Sequence, residues 1–319
     1  MRDRSAVRIA LELRANLYAL IREFFAARAV LEVETPILSE AGNTEPNIES
    51  FSTTFSGPTT AGSRERWLRT SPEHALKRLL AAGVGDCYEL GRVFRNGEAG
   101  RRHNPEFTML EWYRAGFDHR RLMRETAEFV QAALALASRS AEVIEISYRE
   151  LFSTLGLDPF ESSIETLQAC LGEIRIEPHG LVRDDWLDLV ITHRLQPAFP
   201  RERITLVYDF PETQCALAKI RDGDPPVAER FELFLGPYEL ANGYHELTDA
   251  HEQRTRFERD NARRLERGQR EVPIDQRFLA ALPQMPACAG VALGIERLLM
   301  CLAGTNDIGE VIAFPFADA

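Results

Sequence analysis

The chain has 319 residues, of which 45% are hydrophobic and 27% charged, with a formal net charge of -11. That is the composition of a soluble globular protein with a substantial core, and the acidic balance excludes broad nonspecific nucleic-acid binding, which needs clustered Lys and Arg. No apolar run reaches the length of a membrane span, the N-terminal M-R-D-R-S-A-V-R lacks a signal-peptide core, and five scattered cysteines (Cys87, Cys170, Cys215, Cys288, Cys301) without a C-x-x-C pair indicate neither a disulfide framework nor a zinc site.

A cytoplasmic protein with five small core thiols is therefore expected. From Ile9 to about Arg28, apolar residues at Ile9, Leu13, Leu17, Leu20, Ile21, Phe24 and Phe25 keep a helical spacing, with Arg14, Arg22 and Glu23 on the polar side. V-L-E-V-E-T-P-I-L then reads as a strand that Pro36 restricts to an edge or end. The stretch through A-G-N-T-E-P-N and G-P-T-T-A-G-S-R is dense in turn formers, a loop around one short strand at Ile48 to Phe55. Thr70-Ser71-Pro72-Glu73 has the hydroxyl, proline and acid of a capped helix start, and that helix stops at Gly83.

Asp86 to Phe117 reads as a β-hairpin around a polar loop carrying Arg95, Arg101, Arg102 and His103. Period-two alternation puts Phe107, Met109, Glu111 and Tyr113 on one face of its second strand, with Thr108, Leu110 and Trp112 on the other. The first face is chemically mixed, able to stack a base and receive an ammonium group. Arg120 to Ala137 reads as a helix, and residues 141–203 as an inserted helical segment without a reactive cluster. Strand character returns at I-T-L-V-Y-D-F-P. R-F-E-L-F-L and Y-E-L-A-N-G-Y-H-E-L then form a hairpin about the turn Gly236-Pro237, in which Phe234 faces Glu239 and Glu232 shares that face. Two carboxylates on one face repel unless a cation joins them, and Asn242-Gly243 can host a bulge that redirects Glu246. The helix from Asp249 to Gly268 has the charge density of a solvated surface helix. A-G-V-A-L-G leads, as a strand, into a helix whose first turn carries Arg297.

Arginines for phosphate, an aromatic plate, paired acids for a divalent cation and a helix start near Gly294 make a set suited to ATP. There is no G-x-x-x-x-G-K-[ST] loop and no G-x-G-x-x-G spacing, so neither a P-loop nor a Rossmann site is indicated.

The order of these parts resembles the catalytic domain of class II aminoacyl-tRNA synthetases. The first helix and the strand ending at Pro36 resemble motif 1, F-R-N-G through R-H-N-P-E-F motif 2, and G-V-A-L-G-I-E-R motif 3. T-S-P-E-H, R-H-N-P-E-F-T-M-L-E-W-Y and E-L-A-N-G-Y-H-E-L are similar to the lysyl branch. Motif 1 begins so near Met1 that no anticodon-binding barrel is expected, which is the pattern of the truncated elongation factor P lysine ligases. The resemblance implies an α+β fold, an antiparallel sheet flanked by helices, as one catalytic domain over residues 1–319 with a helical insertion at about 141–203. It implies activation of (R)-β-lysine, or less well lysine, with ATP and Mg²⁺, transfer to a lysine side chain of elongation factor P, and a homodimer. It implies neither tRNA nor membrane as a partner. The rivals are a tRNA-aminoacylating core and a non-catalytic amino-acid sensor.

By the same resemblance, Arg95 meets the α-phosphate and Arg297 the γ-phosphate, as the catalytic pair. Asn96, Gly97, His103, Asn104, Phe107, Glu239, Leu240 and Gly294 complete the ATP site, with Phe107 on the adenine. Ser71, Pro72, Glu73, Glu111, Tyr113, Asn242, Tyr244, Glu246 and Ala292 line the amino-acid pocket, and Glu232 and Glu239 hold the metal. Two positions depart from the synthetase pattern. Gly97 stands where motif 2 carries an acid, which is displaced to Glu98, and Ala292 stands where motif 3 of the synthetases carries glycine.

Overall fold

In the computed structural model, which describes residues 4–58, 60, 62–178 and 180–319, the inner stripe of the first amphipathic helix is Leu17, Ile21, Phe24 and Phe25 on α1 (Arg4–Ala26). Thr59 and Ala61 of the turn-rich stretch, His179 of the 141–203 segment and the first three residues of the N-terminal stretch lie outside the described residues. The chain divides into two compact units, Met1–Gly116 with Thr248–Ala319, and Phe117–Leu247.

In the first unit, Phe25 stacks on Tyr88 at 4.3 Å and meets Trp112 edge-on at 5.4 Å, so α1 beds on the Trp112 face of the hairpin. Arg14, which the helical pattern puts on the polar side, is instead turned inward by an ion pair with Glu296 at 2.9 Å. The strand before Pro36 is short. β1 (Leu31–Glu32) runs parallel to the hairpin, and β2 (Leu38–Ser39), β3 (Ser52–Thr54) and β4 (Glu65–Leu68) form a separate antiparallel sheet ordered β2-β4-β3. The sequence carries no signal for β4 because only Trp67 of its four residues is buried.

α2 (Glu73–Ala81) starts slightly later than its hydroxyls suggest: Pro72, which has no capping side chain, is the N-cap residue, and the Ser71 hydroxyl before it accepts the first helical amide, that of Glu73. Thr70 accepts a hydrogen bond from Asn43 at 3.1 Å, and Ser71 is used in the pocket described below. β5 (Cys87–Phe94) and β6 (Glu106–Ala115) form the expected antiparallel hairpin, pairing Val93 with Phe107 and Glu89 with Glu111. Gly91 is needed there. A Cβ would run into the guanidinium of Arg69 and lie 2.9 Å from Glu89 Oε1, within a buried ion pair of 2.6 Å.

The second unit opens with α3 (His119–Ala135), capped by Asp118 accepting the Arg121 amide. β7 (Glu142–Ser147) lies in the segment expected to be helical, and it pairs parallel with β8 (Arg203–Pro211). Between them the expected helices appear as α4 (Tyr148–Ser153), α5 (Ile164–Leu171) and α6 (Arg183–Val190). Tyr148 packs on Phe152 at 4.8 Å and Phe210 at 4.6 Å, and Leu167 and Trp186 share one core with Val207, Ala228 and Phe234 of the sheet. β9 (Ile220–Arg221), β10 (Val227–Leu235) and β11 (Tyr238–His245) complete a sheet ordered β11-β10-β8-β7, with β9 on β10. The two-residue turn holds, since Leu235 pairs with Tyr238 and Phe234 with Glu239. Leu233 then pairs with Ala241, so the extra residue is Leu240. The bulge is therefore not at Asn242-Gly243, which pairs regularly with Glu232 and Phe231.

The chain returns to the first unit as α7 (Ala250–Glu266), α8 (Gln276–Ala281), β12 (Cys288–Gly294) and α9 (Ile295–Ala303). α7 is not simply a solvated helix. Gln253, Arg256, Phe257, Asn261 and Arg264 are buried, and the fully buried Arg264 is paired with Glu49 at 2.6 Å. Polar groups can face inward here where they find partners; Asn261, for example, exchanges hydrogen bonds with the Val272 backbone. β12 pairs antiparallel with β6, setting Ala292 beside Glu111 and Gly294 beside Met109. Both units are α+β, mainly antiparallel sheet with helices against it, as expected. Four cysteines are buried and Cys170 is half-buried against the second unit's core; all five are free thiols.

Candidate active site

Of the residues assigned to the amino-acid pocket, Ser71, Glu73 and Tyr113 come together at Glu111 on the mixed face of β6. Glu111 is 2% exposed. The Ser71 hydroxyl donates to its Oε2 at 2.6 Å and the Tyr113 phenol donates to its Oε1 at 2.7 Å. Ser71 Oγ also accepts the Glu73 amide at 2.9 Å, a double use open to a hydroxyl. Burial, and next the charge of Glu73, push the Glu111 carboxyl up to about 8, against the two hydroxyl donors and Lys77. Lys77, 1% exposed, lies 2.6 Å from Glu73, so the Glu73 carboxylate has a cation of its own. Pro72 is buried beneath them, and Ala292 borders Glu111 across the β6/β12 ladder.

Toward the start of β6 lie the first unit's residues assigned to ATP. The Arg95 amide donates to Pro105 O at 2.8 Å and closes the loop, within which Gly97 has φ +81°, a left-handed conformation that glycine adopts without strain. The Arg95 guanidinium lies 5.2 Å from the Phe107 ring centre and 3.7 Å from Glu98. Arg297, in the first turn of α9 just after Gly294, donates to His103 Nε2 at 2.8 Å. Asn104 donates to Glu106 O at 2.7 Å and accepts the Phe316 amide at 2.9 Å, while the Asn96 amide donates to Glu49 O at 2.8 Å. Asn96 and Asn104 therefore brace the loop, Phe107 supplies its ring, Arg95 and Arg297 supply its cations, and His103 accepts from Arg297.

In the second unit, Glu232 on β10 accepts Arg230 Nη2 at 2.5 Å. Burial pushes Glu232 up to about 8; Arg230 opposes this, and the charges of Glu239 and Asp188 add to it. Arg230 is itself bonded to Asn242 Oδ1 at 3.2 Å and Gln214 O at 2.8 Å, and its guanidinium lies over Phe210. Glu232, Glu239 and Asn242 thus form one electrostatic group with Arg230. Tyr244 lies at its margin, 6.0 Å from ring centre to guanidinium. Leu240 and Glu246 are buried, and Glu246 bridges to Ala218 at the end of β11. Among the described residues no group of three or more His, Cys, Asp or Glu side chains is arranged to hold a metal. The pair Glu232 and Glu239 is nevertheless chemically suited to Mg²⁺, because both are hard oxygen donors and their repulsion is what a divalent cation relieves.

Sequence reasoning missed the two cations that balance these acids. Each carried a signal: Lys77 stands four residues after Glu73 on one helix, and Arg230 stands two before Glu232 on one strand. It also missed Glu296, whose partners come from elsewhere in the chain. Among the described residues no helix is long and apolar enough to cross a membrane.

A family model described as tRNA synthetases class II (D, K and N) matches residues 1–318. An elongation factor P–(R)-β-lysine ligase from Vibrio cholerae is 49% identical over 314 residues, 97% of this chain and 96% of that one. Proteins of the same description from Vibrio vulnificus and Proteus mirabilis are 48% and 46% identical, covering 95% of this chain and 94% and 93% of their own lengths.

Proposed function

Since the chain belongs to the class II tRNA synthetases of the D, K and N type, in the branch of the elongation factor P–(R)-β-lysine ligases, we propose that it activates (R)-β-lysine, or more slowly α-lysine, with ATP and passes the acyl group to a lysine side chain of elongation factor P. The observation that carries this reading is the single strand face bearing Phe107 at one end and the buried, hydroxyl-bonded Glu111 with Tyr113 at the other. Four residue steps of strand put Phe107 and Glu111 about 13 Å apart, a span suited to an aminoacyl-adenylate lying from base to amine.

In the first step a carboxylate oxygen of the amino acid attacks the α-phosphorus of ATP, the acyl-phosphate bond forms and pyrophosphate leaves. Arg95 stabilises the charge that develops on the α-phosphoryl group, and Arg297 that on the γ-phosphate. Phe107 stacks the adenine, Gly97 lets the loop turn over it, and Asn96, His103 and Asn104 hold that loop. Glu111 accepts a substrate ammonium, with Ser71, Pro72, Glu73, Tyr113 and Ala292 shaping the wall; an arriving cation returns its carboxyl to the ionised form. Asn242, Tyr244 and Glu246 take the remaining polar groups of the amino acid. Mg²⁺ held by Glu232 and Glu239, beside Leu240, would supply charge neutralisation for the triphosphate. In the second step the neutral ε-amine of the acceptor lysine attacks the acyl carbon, the amide bond forms and AMP leaves. No side chain becomes covalently linked to substrate; the residues position and neutralise.

The reading places the enzyme in the cytoplasm, as a homodimer through α1, with no role for tRNA. It is tested by incubating the protein with ATP, Mg²⁺ and each lysine isomer, once with elongation factor P and once with tRNA, and identifying the lysylated polymer by mass spectrometry. Lysylated elongation factor P is expected. Lysylated tRNA alone favours the tRNA-acting rival, and absence of pyrophosphate exchange with either isomer leaves only the sensor.

A further inference from the structure

Glu296 immediately precedes Arg297 in the first turn of α9 and is 2% exposed. A carboxylate that deep costs stability unless its oxygens are bonded, and both are. Its Oε2 accepts the main-chain N–H of Thr108 at 2.8 Å, and its Oε1 accepts Arg14 Nη1 at 2.9 Å. The β6/β12 ladder ends where Gly294 meets Met109. Thr108 is the next residue of β6 and directly follows Phe107, so the Glu296 side chain continues the pairing at the point where the β12 backbone has turned into helix.

Arg14 fixes the carboxylate from the other side. Its second nitrogen donates to Val311 O at 3.2 Å, its first also reaches Tyr18 Oη at 3.1 Å, and both Arg14 and Tyr18 stand 3.4 Å from Thr108 Oγ1. Arg92 approaches the same Glu296 oxygen at 3.9 Å. One buried carboxylate therefore joins the neighbour of the ring assigned to the adenine with the neighbour of the arginine assigned to the γ-phosphate.

We propose that Glu296, held by Arg14, is a positioning residue that fixes the spacing between Phe107 and Arg297 and thereby the reach of the ATP site from base to terminal phosphate. It touches neither substrate. The proposal rests on the ATP roles given above to Phe107 and Arg297. Because both oxygens face donors, Glu296→Gln must turn its NH₂ toward either the Thr108 amide or Arg14, replacing one hydrogen bond by two opposed donors. Arg14→Lys keeps the charge but loses the planar fork that serves Glu296 and Val311 together. The pocket around Glu111 lies three residues further along the strand than Thr108, and its bonds to Ser71 and Tyr113 involve neither Glu296 nor Arg14.

The test compares KM for ATP with KM for lysine or β-lysine in pyrophosphate exchange by the full chain. Glu296→Gln is expected to raise KM for ATP about tenfold or more, and Arg14→Lys about threefold, with KM for the amino acid within about twofold of wild type. Parallel changes in both constants, or no change in either, overturn the proposal, since a merely structural role does not separate them. If Glu296→Gln does not fold, Arg14→Lys decides by the same separation. Calorimetric titration with ATP alone gives the same ranking without turnover. A wild-type protein that binds ATP but catalyses no exchange would thus refute the proposed function while the titrations still decide the positioning.

Discussion

Tyr113 and Glu111 stand two residues apart on one strand face, both buried, with the phenol donating to the carboxylate at 2.7 Å. Despite this bond and that from Ser71, burial and Glu73 push the Glu111 carboxyl up to about 8 from its ordinary 4.5. Between these values the folded protein holds a proton that the unfolded chain releases. The stabilisation is full below about 4.5 and is lost as pH rises through about 8. Each tenfold difference in proton affinity between the folded and unfolded chain corresponds to about 1.4 kcal/mol. Glu111→Gln removes this dependence while Glu232, also pushed up to about 8, keeps its own. The melting temperature of the variant relative to wild type is therefore expected to rise between about pH 5 and about pH 8.5, on the order of several degrees. A pH-independent difference in calorimetric scans would show that Glu111 is ionised throughout.

Lys77 is buried with Glu73 as its partner at 2.6 Å. Lys77→Met packs a similar stem but leaves Glu73 unbalanced beside Glu111, and removing one partner of a buried pair costs about 3–5 kcal/mol. Because Glu73 is partly exposed, with its side chain at 20%, a loss nearer about 2 kcal/mol is expected. Urea denaturation measures it. Glu73→Gln combined with Lys77→Met should recover part of the loss, because no lone charge remains.

The faces of β6 were legible because period two leaves a strand only two choices, and the register at Gly236-Pro237 because a two-residue turn leaves one. The bulge at Leu240 was not, since Asn242-Gly243 offers the better local chemistry and the actual irregularity is set by pairing along the whole of β10. β7 was missed because its six residues, only half-buried at most, carry little apolar contrast. The inward turn of Arg14 was hidden for a different reason. Its partner Glu296 is 282 residues away, and no spacing rule within a helix reports a contact closed by the tertiary fold. The same holds for Arg264 and Glu49, so α7 looks solvated in sequence and is not.

One stripe of α1 stays incompletely covered. Ile9 is 62% exposed, and Leu13 and Leu20, at i+4 and i+11 on the same face, are half-buried. The homodimer proposed through this segment would cover that stripe. Ile9→Glu is expected to shift the protein from dimer to monomer in light scattering, with a dissociation constant raised about tenfold or more, as the loss of a buried Ile worth about 1.5–3 kcal/mol implies. A wild-type protein that is monomeric at micromolar concentration contradicts the dimer.

Phe107 supports the Arg95 guanidinium at 5.2 Å and presents its ring on the face assigned to the adenine. The two roles differ in size. A cation–π contact at a partly exposed site contributes about 0.5–1 kcal/mol, whereas stacking a base on an aromatic ring contributes about 1–3 kcal/mol. Phe107→Leu removes both, so KM for ATP is expected to rise between about tenfold and several hundredfold, while KM for the amino acid, bound around Glu111, stays within about twofold. Phe107→Tyr keeps the ring and should bind ATP nearly as wild type. If Phe107→Leu instead lowers kcat with KM for ATP unchanged, the ring acts through Arg95 on the α-phosphoryl group, and the purine is held elsewhere.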